Sequence, residues 1–360
     1  MILIFLLLLI AGALALQHWG AGRSLQHIVY ESSCDRALAE PDQIVTLTST
    51  VRNIGRLPVL YVSLLEYFPG RIRPEEDEAW CRRHLKRHFD ELGSTCRLFL
   101  LPHRRYTKHF RFSLPDRGSY QLGKYFVETG DFLGFRSVYK DGAIGQKVVV
   151  MPRRWEHGQI DQTLGGYLGE RSVRRFIHED PVLTIGVRDY TGAEPMKQIS
   201  WKQTARTGNL MVKQYDYTVD LNVTVLLNLD GGSEEEIESC FRITRTVCET
   251  LERSRIPYEF YGNGDLKGPQ GKLDWLSEGL GSQHYRSLMY ALGQSKGRVL
   301  CSFDELVGRC LSSRRRSRGY IVITPPLRER DQEVLRRLRR AAETEPCLLI
   351  GAAEKGGGAN

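Results

Sequence analysis

Apolar and polar positions follow three different patterns along the chain. Residues 1–16 form an apolar stretch without a charged side chain. From about Asp42 to Val150, short runs alternate apolar and polar residues with a period of two, which is typical of half-buried strands. From Leu221 onward, apolar runs alternate with segments in which apolar residues recur every three or four positions, as in helices. The pattern therefore predicts three parts of different structure.

The first apolar stretch has a length near the minimum for a membrane span. A bilayer core about 30 Å thick needs about 20 helical residues, and residues 1–20 reach that length with Trp19 as an interfacial residue. A cleaved secretory signal is the alternative, but no Lys or Arg precedes Arg23. Because positive charge follows at Arg23 and Arg36, we expect a single-pass cell-membrane protein with most of the chain in the cytoplasm.

The alternating region predicts an antiparallel β-sandwich over residues 36–150. Turn signals such as Asn53-Ile54-Gly55 and Pro115-Asp116-Arg117-Gly118 separate its short strands. Residues 151–182 carry glycine and charge without periodicity, which indicates a linker. We expect this linker, together with the charged run that follows it, to cover residues 151–218.

The last part predicts a doubly wound α/β domain over residues 219–354. Its first apolar strand ends near Leu229, and Ser233 and Glu236 then have the spacing of a helix capping box. Three further strands are predicted at residues 257–261, 320–324 and 347–350, with helices between them. The predicted fold class is α+β multidomain: a transmembrane helix, an antiparallel β-sandwich and a doubly wound α/β domain.

The charged run between the two globular parts follows a long spaced pattern of charged, aromatic and small residues. The matching residues are Arg188, Tyr190, Ile199, Trp201, Ala205, Arg206, Gly208, Leu210, Val212 and Lys213. In this pattern the sequence resembles the domain-of-unknown-function-58 family, bacterial and archaeal membrane-anchored proteins with a von Willebrand A-like C-terminal domain. The chain departs from the family at Ala193-Glu194, where the family has Gly-Asp, and at Lys197, where it has Arg.

The resemblance implies an interaction protein rather than an enzyme. Members of the family are often encoded beside MoxR-type AAA+ ATPases and transglutaminase-like membrane proteins. The resemblance therefore implies both as partners, together with the membrane, in an envelope-associated assembly or scaffold role.

Two hypotheses stay open for the charged run. Ile199 and Trp201 alternate with Ser200 and Lys202, which predicts a strand with a buried apolar face and basic groups outside. Its charged network is either a structural latch between the domains or a docking surface. The candidate partner-binding residues are Arg188, Asp189, Tyr190, Glu194, Lys197, Trp201, Arg206 and Lys213.

A metal-dependent binding module is the alternative function. The resemblance to von Willebrand A-like domains implies an Asp-x-Ser-x-Ser motif with a distant Thr and a distant Asp, since oxygen ligands suit Mg²⁺. Asp230 and Ser233 are weak candidates, because only the leading Asp is in register. Pro325-Pro326 stand where the distant Asp would be needed. We expect no cofactor, with Mg²⁺ at Asp230 as the alternative.

Charge and motifs narrow the remaining function classes. The net charge of +8 suits an anionic membrane surface as well as nucleic acid. The basic clusters at residues 314–318 and 336–340 lack interleaved aromatic residues, which argues against nucleic acid. The eight cysteines are scattered without C-x-x-C pairs. A hydrolase is the third hypothesis, but no G-x-S-x-G, phosphate-loop or H-E-x-x-H motif supports it.

Overall fold

The computed structural model describes residues 25–88, 90–130, 137–156, 162–166, 184–192, 194–215, 223–269, 271–313, 319–341 and 348–351. The chain divides into two compact units. The first holds the described residues up to Arg153, with those of Leu266–Leu273 and Arg286–Lys296, and the second holds the other described residues.

Strands outnumber helices in the described chain. The strands are β1 (Ile28–Cys34), β2 (Leu38–Ala39), β3 (Val45–Asn53), β4 (Val59–Pro69), β5 (Arg73–Pro74), β6 (Leu85–His88), β7 (Glu91–Leu100), β8 (Arg105–Ser113), β9 (Gly118–Gln121), β10 (Lys124–Gly130), β11 (Ser137–Ala143), β12 (Lys147–Val150), β13 (Thr184–Asp189), β14 (Met211–Tyr215), β15 (Val223–Leu227), β16 (Tyr258–Gly262), β17 (Lys267–Gly268), β18 (Gly271–Lys272), β19 (Trp275–Gly279), β20 (Tyr320–Thr324) and β21 (Leu348–Gly351). The helices with described bounds are α1 (Glu78–His84), α2 (Trp201–Thr207), α3 (Glu234–Arg253), α4 (Ser282–Gln294), α5 (Phe303–Ser312) and α6 (Glu329–Ala341). Residues 162–166 are also helical.

Two antiparallel sheets form most of the first unit, in the orders β1-β3-β8-β5 and β11-β10-β4-β7-β6. A third, smaller sheet has the order β2-β12-β9. The period-two pattern decides which side chains point inward: in β3, Val45, Leu47 and Val51 are buried and Arg52 is exposed. Buried side chains from the inner faces of the two large sheets pack against each other.

A polar layer crosses the interior between these two sheets. The Lys108 Nζ atom on β8 lies 2.7 Å from the Glu66 Oε2 atom on β4, and both side chains are buried. Ser49 and Tyr30 donate hydrogen bonds to the Glu66 Oε1 atom, at 2.5 and 2.9 Å. Lys108 also donates to the Ser94 hydroxyl, at 2.6 Å. The layer therefore joins five strands of two sheets, β1, β3 and β8 of one and β4 and β7 of the other.

The polar layer separates two apolar clusters of the first unit. One cluster contains Leu47, Phe68 and Phe110, and the other contains Val51 and Leu64. Leaving one charge of a buried pair without its partner is costly, so the pair disfavours any strand register that separates the two side chains. Burial raises the pKa of the Tyr30 hydroxyl, and the neighbouring Glu66 carboxylate raises it further, so Tyr30 remains a hydrogen-bond donor.

Most of α4, from Arg286 onward, belongs to the first unit, although it lies far along the chain. Arg117 donates hydrogen bonds to the backbone oxygens of Leu292 and Ser295, at 2.8 and 2.6 Å. These carbonyls are at the end of α4, where a cation is favourable. A Cβ atom at Gly293 would lie 2.6 Å from Val149, so only glycine permits this close approach of the helix to β12.

A mixed five-stranded sheet forms the centre of the second unit, in the order β19-β16-β15-β20-β21. The strands β16, β15, β20 and β21 are parallel to their neighbours in this sheet. Strand β19 is antiparallel to β16. The capping box is confirmed at the start of α3, because the Ser233 hydroxyl accepts from the Glu236 N–H and the Glu236 carboxylate accepts from the Ser233 N–H.

The predicted fold class is wrong as a whole. The described chain is β-rich and consists of several small sheets, not of one sandwich followed by a doubly wound domain of von Willebrand A type. The prediction missed the antiparallel edge strand β19. It also assumed a continuous C-terminal domain, whereas Leu266–Leu273 and Arg286–Lys296 belong to the first unit. Local periodicity cannot report such returns of the chain.

The prediction of a single-pass membrane protein is also corrected. Within the described ranges, no helix is long and apolar enough to cross a bilayer. The stretch that was predicted to span, residues 1–20, lies outside these ranges. The location in the cell membrane with a cytoplasmic bulk therefore has no support from the structure.

We expect the single substitution Lys108→Met to lower the free energy of unfolding by about 3–5 kcal/mol, because it leaves the Glu66 carboxylate buried without its cation. The double variant Lys108→Met with Glu66→Leu should lose less, since it removes both charges. Urea unfolding measures both values, with Lys140→Met on the exposed face of β11 as the control. A double variant less stable than Lys108→Met would contradict this account.

Candidate functional site

The predicted partner-binding residues lie together on one surface element of the second unit. Strand β13 pairs antiparallel with β14, and the segment between them carries a 3-10 helix, Met196–Gln198, and helix α2. We call the described residues of 184–215 the signature hairpin, because it carries the spaced pattern of charged and aromatic residues.

Backbone hydrogen bonds hold the segment between β13 and β14 against the start of β14. The Tyr190 N–H donates to the Leu210 oxygen at 2.9 Å, and the Ser200 N–H donates to the Met211 oxygen at 2.7 Å. A β-bridge joins Ile199 to Val212, and both side chains are buried. Helix α2 ends at Gly208, whose φ of 79° is the left-handed conformation that glycine adopts without strain. Ile199 and Val212 therefore form a bridged, buried apolar pair within the hairpin.

Three large apolar side chains of the signature hairpin are exposed. The exposed fractions are 67% for Met196, 61% for Trp201 and 43% for Leu210. The predicted strand with a buried Trp201 is therefore wrong. The alternation ends after Ser200 because Trp201 is the first residue of α2, and helical geometry turns its side chain away from the buried face of Ile199.

One ion pair organises the first turn of the signature hairpin. The Arg188 guanidinium lies 2.6 Å from the Glu194 Oε1 atom. Thr191 donates to the same carboxylate through its hydroxyl, at 2.7 Å, and through its N–H, at 3.1 Å. The Thr191 hydroxyl and then Arg188 lower the pKa of Glu194 from 4.5 to about 2. Arg188 also donates a long hydrogen bond to the backbone oxygen of Asp189.

The other basic residues of the hairpin are exposed, and none forms an ion pair with a carboxylate in the described part of the chain. These residues are Lys197, Lys202, Arg206 and Lys213. The predicted charged network is thus reduced, among described residues, to the pair of Arg188 and Glu194. Asp189 is exposed and Tyr190 is half-buried. The exposed side chains of the hairpin therefore include three apolar groups and four cations that have no counter-ion among the described residues.

Asp230 lies between two arginines. Its carboxylate oxygens are 3.8 Å from Arg328 and 3.3 Å from Arg330. The Arg328 guanidinium lies over Gly231, where a Cβ atom would be 1.3 Å from a guanidinium nitrogen. Ser233 is the N-cap of α3 and accepts from the Glu236 N–H. Both metal candidates thus have other partners.

The surroundings of Asp230 do not suit a divalent cation. Two positively charged guanidinium groups lie within 3.8 Å of its carboxylate oxygens, whereas Mg²⁺ prefers a set of oxygen ligands. Across the described ranges, no group of three or more His, Cys, Asp or Glu side chains is placed to hold a metal ion. The expectation of no cofactor stays a prediction.

Sequence reasoning missed a buried polar network at the carboxyl ends of three parallel strands. Asn263, after β16, donates to the Asn228 amide oxygen, after β15, at 2.7 Å. Asn228 in turn donates to the Thr324 hydroxyl at the end of β20, at 2.9 Å. The Asn263 oxygen accepts from the Leu229 N–H at 2.8 Å. The sequence signal for this network is a polar residue at the end of each apolar run. Only the strand order in the sheet shows that Asn228, Asn263 and Thr324 lie together.

No protein-family model and no curated protein matches the chain. Parts of it resemble solved structures at low similarity. A CARDB domain from Pyrococcus furiosus, solved with di-metal ions, is 11% identical with a TM-score of 0.22, over 34% of this chain and 86% of that one. An Escherichia coli alpha-2-macroglobulin fragment is 11% identical with a TM-score of 0.26, over 35% of this chain and 24% of that one.

The sporulation control protein Spo0M from Bacillus subtilis is 13% identical with a TM-score of 0.19, over 46% of this chain and 58% of that one. TM-scores this low support no statement about the fold or function of the present chain. The resemblance to the domain-of-unknown-function-58 family stays a prediction, because these structures do not identify that family.

We predict that the Glu194 carboxyl titrates with a pKa of about 2 in the folded chain. Because this pKa is below the ordinary 4.5, its contribution to stability is complete above pH 4.5 and is lost as the pH falls towards 2. Thr191→Val should raise the pKa towards 4.5, which carbon-13 NMR can follow. Thr207→Val is the matched control, since the Thr207 hydroxyl bonds to the Gln203 and Asn209 oxygens instead. An unchanged pKa in Thr191→Val would refute the assignment.

We also predict that Mg²⁺ produces no specific heat of binding in calorimetry, because Asp230 is already paired with Arg328 and Arg330. The matched control is Asp230→Ala, which should give the same trace as the unmodified chain. A saturable Mg²⁺ heat that disappears in Asp230→Ala would show instead that a metal can replace the two arginines.

Proposed function

We propose that the chain is a non-enzymatic interaction protein that binds a protein partner through the signature hairpin. The observation that carries this proposal is the exposure of Trp201, 61%, on a hydrogen-bonded support. Tryptophan is enriched among interface anchors, and Met196 and Leu210 on the same hairpin are exposed with it, so the exposure is not that of a single scattered residue. Trp201 is the proposed anchor of the interface.

The composition of the surface around Trp201 indicates the chemistry of the partner. Tryptophan and arginine are the residues that dominate binding energy in many protein interfaces. Met196 and Leu210 extend the apolar area, and Lys197 and Arg206 add positive charge without a described counter-ion. A partner with an apolar pocket and an acidic rim would complement both properties.

The hydrogen bonds of the hairpin reduce the free-energy cost of binding. Ordering a flexible loop on association costs free energy, and a segment that is already ordered avoids part of that cost. The Ser200–Met211 and Tyr190–Leu210 bonds, with the bridge from Ile199 to Val212, hold the backbone around Trp201 in one conformation. We therefore treat this conformation as the one that the partner meets.

The resemblance to the domain-of-unknown-function-58 family suggests which partner to test. It implies a MoxR-type AAA+ ATPase and a transglutaminase-like membrane protein, in an envelope-associated assembly role. These partners and the absence of enzymatic activity stay predictions. The ATPase is the first partner to test.

The test is a binding titration between the full chain and the MoxR-type ATPase encoded in the same genome. Trp201→Ala should weaken binding by about 30-fold, the loss of about 2 kcal/mol that is typical of an interface anchor. Arg206→Glu should weaken it through charge, more strongly at low salt. The matched controls are the exposed residues Leu300 and Arg339 of the second unit, changed as Leu300→Ala and Arg339→Glu.

The same variants distinguish docking from a structural latch. A docking surface predicts unchanged melting temperatures with weaker binding. A latch predicts a lower melting temperature with unchanged binding, because Trp201→Ala would then destabilise the folded chain. If the ATPase binds equally to the unmodified chain and both hairpin variants, the hairpin is not its docking surface.

A further inference from the structure

Two loops of the first unit lie side by side at one end of the face-to-face sheets. One loop joins β3 to β4 and the other joins β7 to β8. The Asn53 amide connects them, because it donates to the Leu57 oxygen at 2.8 Å and to the Leu100 and Leu101 oxygens at 3.3 Å each. We call residues 51–60 and 97–106 the loop end.

The loop end exposes several large apolar side chains. The exposed fractions are 43% for Ile54, 55% for Leu57, 52% for Leu60, 66% for Phe99 and 50% for Leu101. Exposed apolar residues scattered singly need no explanation, but here they are concentrated on two neighbouring loops and the strand ends beside them. The group therefore indicates an interaction surface.

The charge of the loop end has one sign. It contains five exposed arginines, namely Arg52, Arg56, Arg97, Arg104 and Arg105. Neither of its two segments contains an Asp or Glu. None of the five arginines forms a salt bridge with a carboxylate of the described chain. Exposed apolar side chains together with basic groups that have no carboxylate partner in the described chain are the combination that binds anionic bilayer surfaces.

Several backbone groups of the two loops are hydrogen-bonded within the protein. Besides the three carbonyls that Asn53 satisfies, the Ile54 N–H donates to the His27 oxygen and the Gly55 N–H donates to the Asn53 side chain, each at 2.9 Å. The Arg104 N–H donates to the Leu101 oxygen at 3.2 Å. Backbone groups that are already paired can approach a hydrocarbon layer at low cost, whereas free ones cannot.

We propose that the loop end docks on the headgroup layer of an anionic lipid bilayer, with Leu57 and Leu101 entering the acyl boundary and the arginines binding lipid phosphates. The contact is made by loops of the folded unit and involves no membrane-spanning helix. A protein partner is less well matched, because most of the apolar residues are aliphatic. Leucine is under-represented among protein hot spots, whereas it partitions favourably into lipid.

The test places a photo-crosslinking residue in the full chain, in the variant Leu57→p-benzoylphenylalanine, with vesicles of phosphatidylcholine alone or with phosphatidylglycerol. The same change at Glu78, exposed on α1, is the positional control. A position-specific readout is needed because the apolar residues 1–16 could themselves bind vesicles. We expect lipid crosslinks at position 57 that depend on phosphatidylglycerol, and few at position 78.

Charge reversal provides the second measurement. The double variant Arg56→Glu with Arg104→Glu should reduce the crosslinking yield at position 57 by more than about tenfold, since each basic residue near an anionic surface contributes roughly fivefold. Arg82→Glu with Arg83→Glu, on exposed residues of α1, is the matched control and should leave the yield unchanged.

Three results would overturn the proposal. They are a lack of lipid crosslinks at position 57, equal yields at positions 57 and 78, and a yield at position 57 that is insensitive to charge reversal. A saturable protein crosslink at position 57 without lipid crosslinks would assign the surface to a protein instead. These outcomes are independent of the signature hairpin, because Trp201 and Arg206 are unchanged in every variant.

Discussion

The ion pair between Lys108 and Glu66 is the constraint on which the first unit depends. A buried charge is tolerated only when its partner and its remaining hydrogen bonds are supplied, and here Ser49, Ser94 and Tyr30 supply them. The pair therefore ties the strand register of one sheet to that of the other. The loop end lies on the same strands. Strand β3 carries Ser49 of the polar layer and strand β7 carries Ser94, and both strands continue into the loop end.

The two proposed surfaces have different physical characters. The signature hairpin exposes one aromatic ring on a small element with its own buried pair, Ile199 and Val212. The loop end exposes aliphatic side chains on loops that the Asn53 amide holds together. An anchor that fills a pocket requires a defined position, whereas insertion into lipid requires apolar area and a paired backbone. Each surface therefore suits a different kind of partner.

Sequence reasoning predicted the elements that local rules decide. The capping box at Ser233 and Glu236 and the apolar strands at β15 and β20 follow from spacing alone. It failed where tertiary pairing decides: β19 has no clean alternation, and Trp201 continues a strand-like pattern although it starts a helix. The Asn228–Asn263–Thr324 network and the arginines beside Asp230 depend on the sheet order, which a sequence pattern does not contain. The membrane prediction rested on residues 1–20, which lie outside the described chain.

The return of α4 to the first unit has a practical consequence for dissecting the protein. A fragment that stops at residue 153 would contain all strands from β1 to β12, yet Arg117 would lose the Leu292 and Ser295 oxygens. Val149 would also lose the helix that packs against it at Gly293. Recombinant truncations at that boundary would therefore expose an apolar edge that the intact chain covers with residues more than one hundred positions later. Crystallographers and protein engineers should keep the polypeptide intact through residue 296.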